Sequence, residues 1–314
     1  MRSSGLQFLG AYTLVYLLVL VLLLLAPWLG AYPIFMMKCL CFALFACAFN
    51  LLVGYTGLLS FGHAMFFGFA AYVCAHAAKS WGWPILLSIG AGTVVAMLIG
   101  CVAAWLSVRR QGIYFSMVTL ALAQMVYFAC VQAPFTNAED GIQSVPRGEL
   151  LGIDLQNDEA MYYLVLAIFV LGFAAIARIV HSPFGQVLKA IRENEPRALS
   201  LGYAVQRYKQ LAFVLSAAFA GLAGATKALA LGLATLTDVQ WQMSGEVVLM
   251  TLLGGMGTLS GPVVGAAVIV AMTNYLAGWG SWVTTIMGLT FVVCVLIFRR
   301  GIVGEIAHLL KKSK

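Results

Sequence analysis

The stretch HSPFGQVLKAIRENEPRALSLGYAVQRYKQ (His181–Gln210) is an island of charge in a chain of which only 9% is charged. Its charged residues are Lys189, Arg192, Glu193, Glu195, Arg197, Arg207 and Lys209. Apolar segments lie on both sides, and each is long enough to cross a bilayer, since a span needs about 20 apolar residues. The sequence therefore places this island at a membrane surface.

The island contains the start and stop signals of two short helices. Ser182-Pro183 is typical of an N-cap followed by proline at the first helical position. Phe184, Leu188 and Ile191 then recur at helical spacing and form one apolar face. Glu195-Pro196 ends this helix and begins another, because a residue before proline disfavours helical backbone. We expect an amphipathic helix followed by a second short helix.

Two interpretations of residues 182–202 stay open on this pattern. An ordered, mixed-charge helix pair at a membrane surface is typical of a docking element for another protein. A solvated loop that only sets the orientation of the neighbouring spans has a similar composition.

The composition is that of a polytopic integral membrane protein. Hydrophobic residues make up 62% of the 314 residues, and no polar stretch is long enough for a separate soluble domain. We therefore predict a single transmembrane domain over residues 1–314. The net charge of +7 arises in short loops and at the C-terminus, so it indicates orientation and not nucleic-acid binding.

The apolar runs predict an all-α fold with about nine or ten transmembrane or half-membrane helices. The runs lie at about 11–31, 34–53, 61–78, 84–107, 113–133, 161–180, 210–232, 246–257, 262–276 and 282–298. The first run is too long for the core of a signal peptide, so we expect it to be retained as a span.

Charged loops predict the side of the membrane that each loop faces. Arg109-Arg110, the helices at 182–202 and the basic C-terminal tail are expected on the cytoplasmic side. The loop 134–160 holds six acidic residues against a single arginine, so it is expected outside. Both termini are then cytoplasmic.

A broken span follows from the parity of the crossings. Between the spans at 210–232 and 282–298 the chain must enter and leave on the outer side, and Glu246–Met256 covers only about 16 Å. We expect 246–257 to enter and 262–276 to return after a glycine-rich turn. Such a break is typical of a pathway wall or of a close-packed glycine seam.

The motif G-x-x-G-x-L-S occurs twice, as GYTGLLS at Gly54–Ser60 and as GGMGTLS at Gly254–Ser260. Both copies follow an inward segment and precede an outward one, as in a parallel repeat. We expect the copies to face each other across a substrate pathway. The candidate pathway residues are Gly54, Gly57, Ser60, His63, Gly254, Gly257 and Ser260.

Two polar residues in the spans have a purely structural interpretation. His63 is a functional candidate because it lies in a membrane segment, but a neutral imidazole bonded to a backbone carbonyl is the alternative. Lys227 lies near the outer end of its span, where we expect it to snorkel.

The chain contains no motif that indicates a catalytic activity or an energy source within this subunit. There is no P-loop, no H-E-x-x-H and no G-x-S-x-G. The seven cysteines lie in apolar segments without metal-ligand spacing, so we expect packing roles and neither a metal nor a cofactor. Pairs of buried acids, typical of ion-driven carriers, are missing from the span centres.

Four blocks of the chain resemble permeases of branched-chain amino-acid ABC importers. Gly54–Tyr72 (GYTGLLSFGHAMFFGFAAY) is similar to the family block G-Y-x-G-x-L-S-x-G-x-A-x-F-x-G-x-G-A-Y, with Phe69-Ala70 where a glycine is usual. Ser182–Tyr203 resembles S-x-x-G-R-x-L-x-A-I-R-E-N-E-x-A-A-x-x-x-G, with Gln186 and Arg197 as departures. Further blocks match at Phe213–Ala225 and Leu252–Ala266.

The resemblance implies a fold like that of type II ABC importers, in a bacterial cytoplasmic (inner) membrane. It implies three kinds of partner: a sister permease, two cytoplasmic ATP-binding subunits and an extracytoplasmic substrate-binding protein. The chain itself is then a transport subunit and not an enzyme. The resemblance assigns coupling to the ATP-binding subunits to Phe184, Gly185, Leu188, Ile191, Arg192, Glu193, Asn194 and Glu195.

Other functions stay open beside this one. Urea and short-chain amide importers belong to the same family, so the class of permease is better defined than its substrate. A stand-alone carrier or channel and a membrane-embedded enzyme are alternatives of other classes. A carrier calls for ionisable residues at mid-span, and an enzyme for a nucleophile or metal cluster, and the sequence displays neither pattern.

Overall fold

The computed structural model describes residues 18–28, 30–110, 112–150, 152–280, 282–297 and 301–305. Within this part, residues 18–25 and 301–305 are helical, and eleven further α-helices are assigned. These are α1 Pro33–Thr56, α2 His63–Lys79, α3 Ile85–Ser107, α4 Ile113–Gln132, α5 Asp158–His181, α6 Pro183–Glu193, α7 Glu195–Ser200, α8 Val205–Leu231, α9 Trp241–Gly254, α10 Gly261–Tyr275 and α11 Trp282–Ile297. The start of the predicted span at 11–31 and the end of the basic C-terminal tail lie outside the described residues.

The prediction of an all-α polytopic membrane protein is confirmed. Among the described residues, five helices are long and apolar enough to cross a membrane, namely α1, α3, α4, α5 and α8. The helices α2, α9, α10 and α11 are also apolar but have only 14 to 17 residues. Full spans and shorter helices thus combine in one bundle.

The first long helix, α1, lies at the centre of the bundle. Every residue from Leu40 to Thr56 is buried, and the helix packs against α5, α8, α9 and α10. It has no polar face, as expected for a helix that is surrounded by protein. Glycines on α8 allow the neighbouring helices to approach closely, because a Cβ on Gly221 or Gly224 would overlap α3 or α2.

The predicted broken pair is formed by α9 and α10. The first helix ends at Gly254 and the second begins at Gly261. The pair packs tightly, since a Cβ on Gly265 would overlap the backbone of Met250. The first helix begins at Trp241 and not near 246, because its opening turn contains polar residues that an apolar run does not reveal.

Short strands, which the all-α prediction did not include, shape the acidic loop 134–160. The strand β1 (Ile142–Gln143) pairs with β4 (Leu233–Ala234), and β2 (Glu149–Leu150) pairs with β3 (Ile153–Asp154), both antiparallel. Lys79, at the end of α2, also donates from Nζ to the carbonyl of Gln143 at 2.7 Å. The acidic loop therefore lies at the end of the bundle where α2 and α8 finish.

The two short helices α6 and α7 lie between α5 and α8. Ser182 caps α6 by accepting a hydrogen bond from the amide of Gly185 at 3.4 Å. Asn194 caps α7 by accepting one from the amide of Arg197 at 3.1 Å. The N-cap and proline signals of the sequence therefore mark these helix starts correctly.

Candidate functional site

The two G-x-x-G-x-L-S motifs are joined through the side chain of Asn50. This residue lies in α1, one turn before Gly54. Its Nδ2 donates to the carbonyl of Thr258 at 2.8 Å, and its Oδ1 accepts from the amide of Gly257 at 2.9 Å. A reciprocal pair of hydrogen bonds therefore ties α1 to the turn between α9 and α10.

Glycine is required where the two motifs meet. A Cβ on Gly54 would overlap the Asn50 amide and lie 2.8 Å from the nitrogen of Gly257. Gly257 itself has φ +78°, which is in the left-handed region. Gly57, with φ +76°, ends α1 by donating its amide to the carbonyl of Val53 at 3.2 Å. Close packing and left-handed backbone therefore explain why glycine occupies these three positions of the motifs.

Arg192 of α6 reaches the same junction. Its Nη1 donates a hydrogen bond to the carbonyl of Gly54. A Cβ on Gly257 would lie 2.9 Å from that nitrogen, and a Cβ on Gly57 would lie 3.5 Å from Arg192 Cγ. One side chain therefore touches both motifs. We call this junction the latch; its members are Asn50, Gly54, Arg192, Gly257 and Thr258.

The apolar face of α6 packs against its own chain. Leu188 and Ile191 are buried, and the half-buried ring of Phe184 stacks on Tyr208 with ring centroids 5.6 Å apart. Gly185 lies so close to the end of α5 that a Cβ there would overlap its backbone. Of the predicted coupling residues, these four anchor the helix within this chain.

The remaining predicted coupling residues lie at the outer edge of α6 and α7. Glu193 and Asn194 are exposed, and Glu195 forms an ion pair with Lys209 at 2.8 Å. Beside this edge is an open cavity of about 520 Å³. It is lined by His181, Pro183, Gln186, Val187, Ala190 and Tyr203. The two helices thus have one face fixed in the bundle and one face accessible.

The other candidate pathway residues do not take part in the latch. His63 Nε2 lies 2.9 Å from the Ser216 hydroxyl, which itself donates to the carbonyl of Ala48 at 2.5 Å. Because that hydroxyl proton is used, Nε2 carries the imidazole proton, and the buried ring anchors α2 to α1 and α8. Ser60 is also buried and accepts from the amide of Gly62 at 3.2 Å. Ser260 is half-buried before α10. A pathway role for these three residues stays a prediction.

Lys227 does not snorkel, so that expectation was wrong. Its Nζ lies 2.6 Å from Asp238 Oδ2, and both side chains are buried. Asp238 also accepts from the hydroxyl of Thr235 at 3.1 Å. The segment that carries it folds back into the bundle, where a Cβ on Gly68 would overlap Val239. The sequence did not reveal this partner, because residues after α8 have the composition of an ordinary outer loop.

The sequence profile described as "Branched-chain amino acid transport system / permease component" matches residues 31–298. The chain belongs to this family. The matched range contains both glycine motifs, the helices α6 and α7 and every residue of the latch.

Three curated relatives are similar to the chain. The high-affinity branched-chain amino acid transport system permease protein LivM of Escherichia coli K12 is 26% identical over 274 residues, which cover 80% of this chain and 64% of that protein. LivM of Salmonella typhimurium LT2 is 25% identical over the same shares. A probable LivM of Methanocaldococcus jannaschii is 23% identical over 58% of this chain and 53% of that protein. No solved structure matches.

Proposed function

We propose that this chain is the transmembrane permease subunit of an ATP-driven importer for branched-chain amino acids in a bacterial cytoplasmic membrane. The latch is the observation that carries the proposal. Arg192 connects a surface helix to both glycine motifs, which are the places where α1 and α9 end. A partner that moves α6 would act directly on those helix ends.

The energy source is proposed to lie in two cytoplasmic ATP-binding subunits. The chain has no nucleotide-binding motif, so in this proposal ATP is bound by other subunits. The accessible edge of α6 and α7, with Glu193 and Asn194, is the proposed contact. The buried face of α6, with Leu188 and Ile191, then transmits the movement as a rigid element.

The pathway is proposed to run along the two motifs and to be shared with a sister permease. In this arrangement the latch closes the cytoplasmic end, because it lies beside α6. The residues that we assign to the pathway remain Gly54, Gly57, Ser60, His63, Gly254, Gly257 and Ser260. Glycine turns expose backbone amides and carbonyls, and discontinuous helices elsewhere use such groups to bind ions and substrates.

The acidic loop 134–160 is the proposed receiver of an extracytoplasmic substrate-binding protein. Glu139, Asp140 and Glu149 are exposed there and offer a negative surface to a basic patch on that partner. The pairing of β1 with β4 ties this loop to the segment that carries Asp238. Docking of the binding protein at the loop would therefore also act on the segment that carries Asp238, which is buried in the bundle.

A charge reversal at the edge of α6 tests the proposed contact. We expect Glu193→Arg to lower the amount of ATP-binding subunit that co-purifies with the tagged chain by about tenfold or more, since charge mismatches at an interface cost several kcal/mol. The matched control is Glu139→Arg, an equally exposed reversal at the opposite end. Co-purification should be unchanged in the control. A wild-type chain that purifies without any ATP-binding subunit, yet transports, would support a stand-alone carrier instead.

A further inference from the structure

Two charged residues of the membrane helices have no role in the latch or in the proposed docking. Lys38 lies in the second turn of α1, and Glu246 lies in the second turn of α9. Both side chains are half-buried. Ionisable residues inside membrane segments are costly to keep, so they generally mark a functional site.

Lys38 and Glu246 also lack a partner of their own. Three ion pairs occur among the described residues, and neither residue belongs to any of them; the pairs are Arg147–Asp158, Lys209–Glu195 and Lys227–Asp238. Neither side chain has a hydrogen-bond partner within the described part of the chain. A half-buried charge without a counter-charge in contact is unfavourable, and a ligand that supplies one would offset that cost.

The two residues are close enough to share a ligand. Their helices α1 and α9 pack against each other, and Asn50 fixes the far end of α1 to the turn that follows α9. Lys38 lies 50 − 38 = 12 residues before Asn50, and Glu246 lies 257 − 246 = 11 residues before Gly257, so both residues lie at a similar distance from this junction. The segment that carries Asp238 also contacts α9. Asp238 is already neutralised by Lys227 at 2.6 Å, so Lys38 is the free counter-charge.

We propose that Lys38 and Glu246 form a binding site for a zwitterionic α-amino acid within the permease. The Lys38 ammonium binds the carboxylate of the ligand, and the Glu246 carboxylate binds its ammonium group. The proposal rests on the proposed function and assigns two residues of the permease to the binding of its substrate. A neutral urea or amide carries no charge for either residue, whereas an amino acid neutralises both.

Charge-neutral variants of similar size test this site in the complete importer. In proteoliposomes supplied with ATP and saturating leucine-loaded binding protein, we expect Glu246→Gln and Lys38→Met each to lower leucine uptake by about tenfold or more. Glu246→Asp keeps the charge and should retain more uptake than Glu246→Gln. The control is Arg110→Met, an exposed arginine between α3 and α4, which should stay within about twofold of wild type.

A labelling experiment tests the same site if one of these variants fails to assemble into the complete importer. Gln242 is exposed and lies one helical turn before Glu246. A small polar thiol reagent should label Gln242→Cys in the complete complex, and leucine, but not urea, should protect it. Wild-type uptake by both Glu246→Gln and Lys38→Met would overturn the site, and so would labelling that is absent or insensitive to leucine. Failure of the proposed function is distinguishable, because wild-type complex would then accumulate no leucine with ATP.

Discussion

Replacing Arg192 with alanine is expected to lower ATP-driven uptake by an order of magnitude or more, while the ATP-binding subunits stay bound. The substitution removes the charged hydrogen bond to the carbonyl of Gly54, and bonds of this type contribute about 1.5–3 kcal/mol. ATP hydrolysis should continue without a matching movement of the glycine motifs. The ratio of substrate imported to ATP hydrolysed, measured in proteoliposomes, reports this loss of coupling.

Arg207 provides the matched control for this experiment. It is exposed in the first turn of α8, and its side chain makes no hydrogen bond or ion pair within the described residues. Arg207→Ala should therefore keep the wild-type ratio. Arg192→Lys keeps the positive charge but not the planar fork of donors, so we expect an intermediate ratio. If Arg192→Ala kept the wild-type ratio of substrate imported to ATP hydrolysed, the latch would not couple ATP hydrolysis to transport.

Valine in place of Gly257 is expected to abolish uptake. Gly257 has φ +78°, and backbone of this kind costs about 1–3 kcal/mol for a residue with a side chain. A Cβ would also lie 2.9 Å from Arg192 Nη1 and 3.3 Å from the carbonyl of Gly54, so the two motifs would be pushed apart. Uptake and co-purification of the ATP-binding subunits should be measured on the same preparation.

The control for this variant is Gly90→Val in α3. Gly90 is exposed in an ordinary helical conformation, and a Cβ there would meet nothing within 4 Å. Normal uptake by Gly257→Val would place the motifs away from the pathway. Loss of the ATP-binding subunits from Gly257→Val, but not from Gly90→Val, would make the motif structural, and the pathway assignment would be withdrawn.

The helices and their breaks could be predicted because they depend on local sequence. Length and hydropathy indicate the long spans, and Ser182-Pro183 marks the start of α6. Parity required the break between α9 and α10, and the structure contains it. Helix ends were less accurate, as at Trp241, because the opening turn of α9 contains the polar residues Gln242 and Ser244, which an apolar run does not include.

The latch could not be predicted, because its contacts join distant parts of the chain. Arg192 and Gly54 are 138 positions apart, and Asn50 and Thr258 are 208 apart. The motifs were recognised as glycine-rich turns, but nothing local indicates that Asn50 bridges them. A polar residue one turn before a glycine break, in an otherwise apolar helix, is the signal that was available.

The burial and pairing of the charged residues in the bundle could not be predicted for a related reason. Asp238 follows a span and has the composition of an outer loop, yet it is buried against Lys227. Lys38 and Glu246 lie near the predicted ends of apolar runs, where charges are ordinary. Only the three-dimensional arrangement indicates that the first pair is satisfied and that the second is not.

We propose that partner subunits drive this permease with ATP. The most direct test reconstitutes the chain with its sister permease and two ATP-binding subunits in proteoliposomes and measures accumulation of labelled leucine. We predict accumulation above the external concentration only when ATP is present on the side of α6 and loaded binding protein on the side of the loop 134–160. Equal accumulation without ATP, or accumulation by the chain alone under an ion gradient, would show that partner subunits do not drive this permease with ATP.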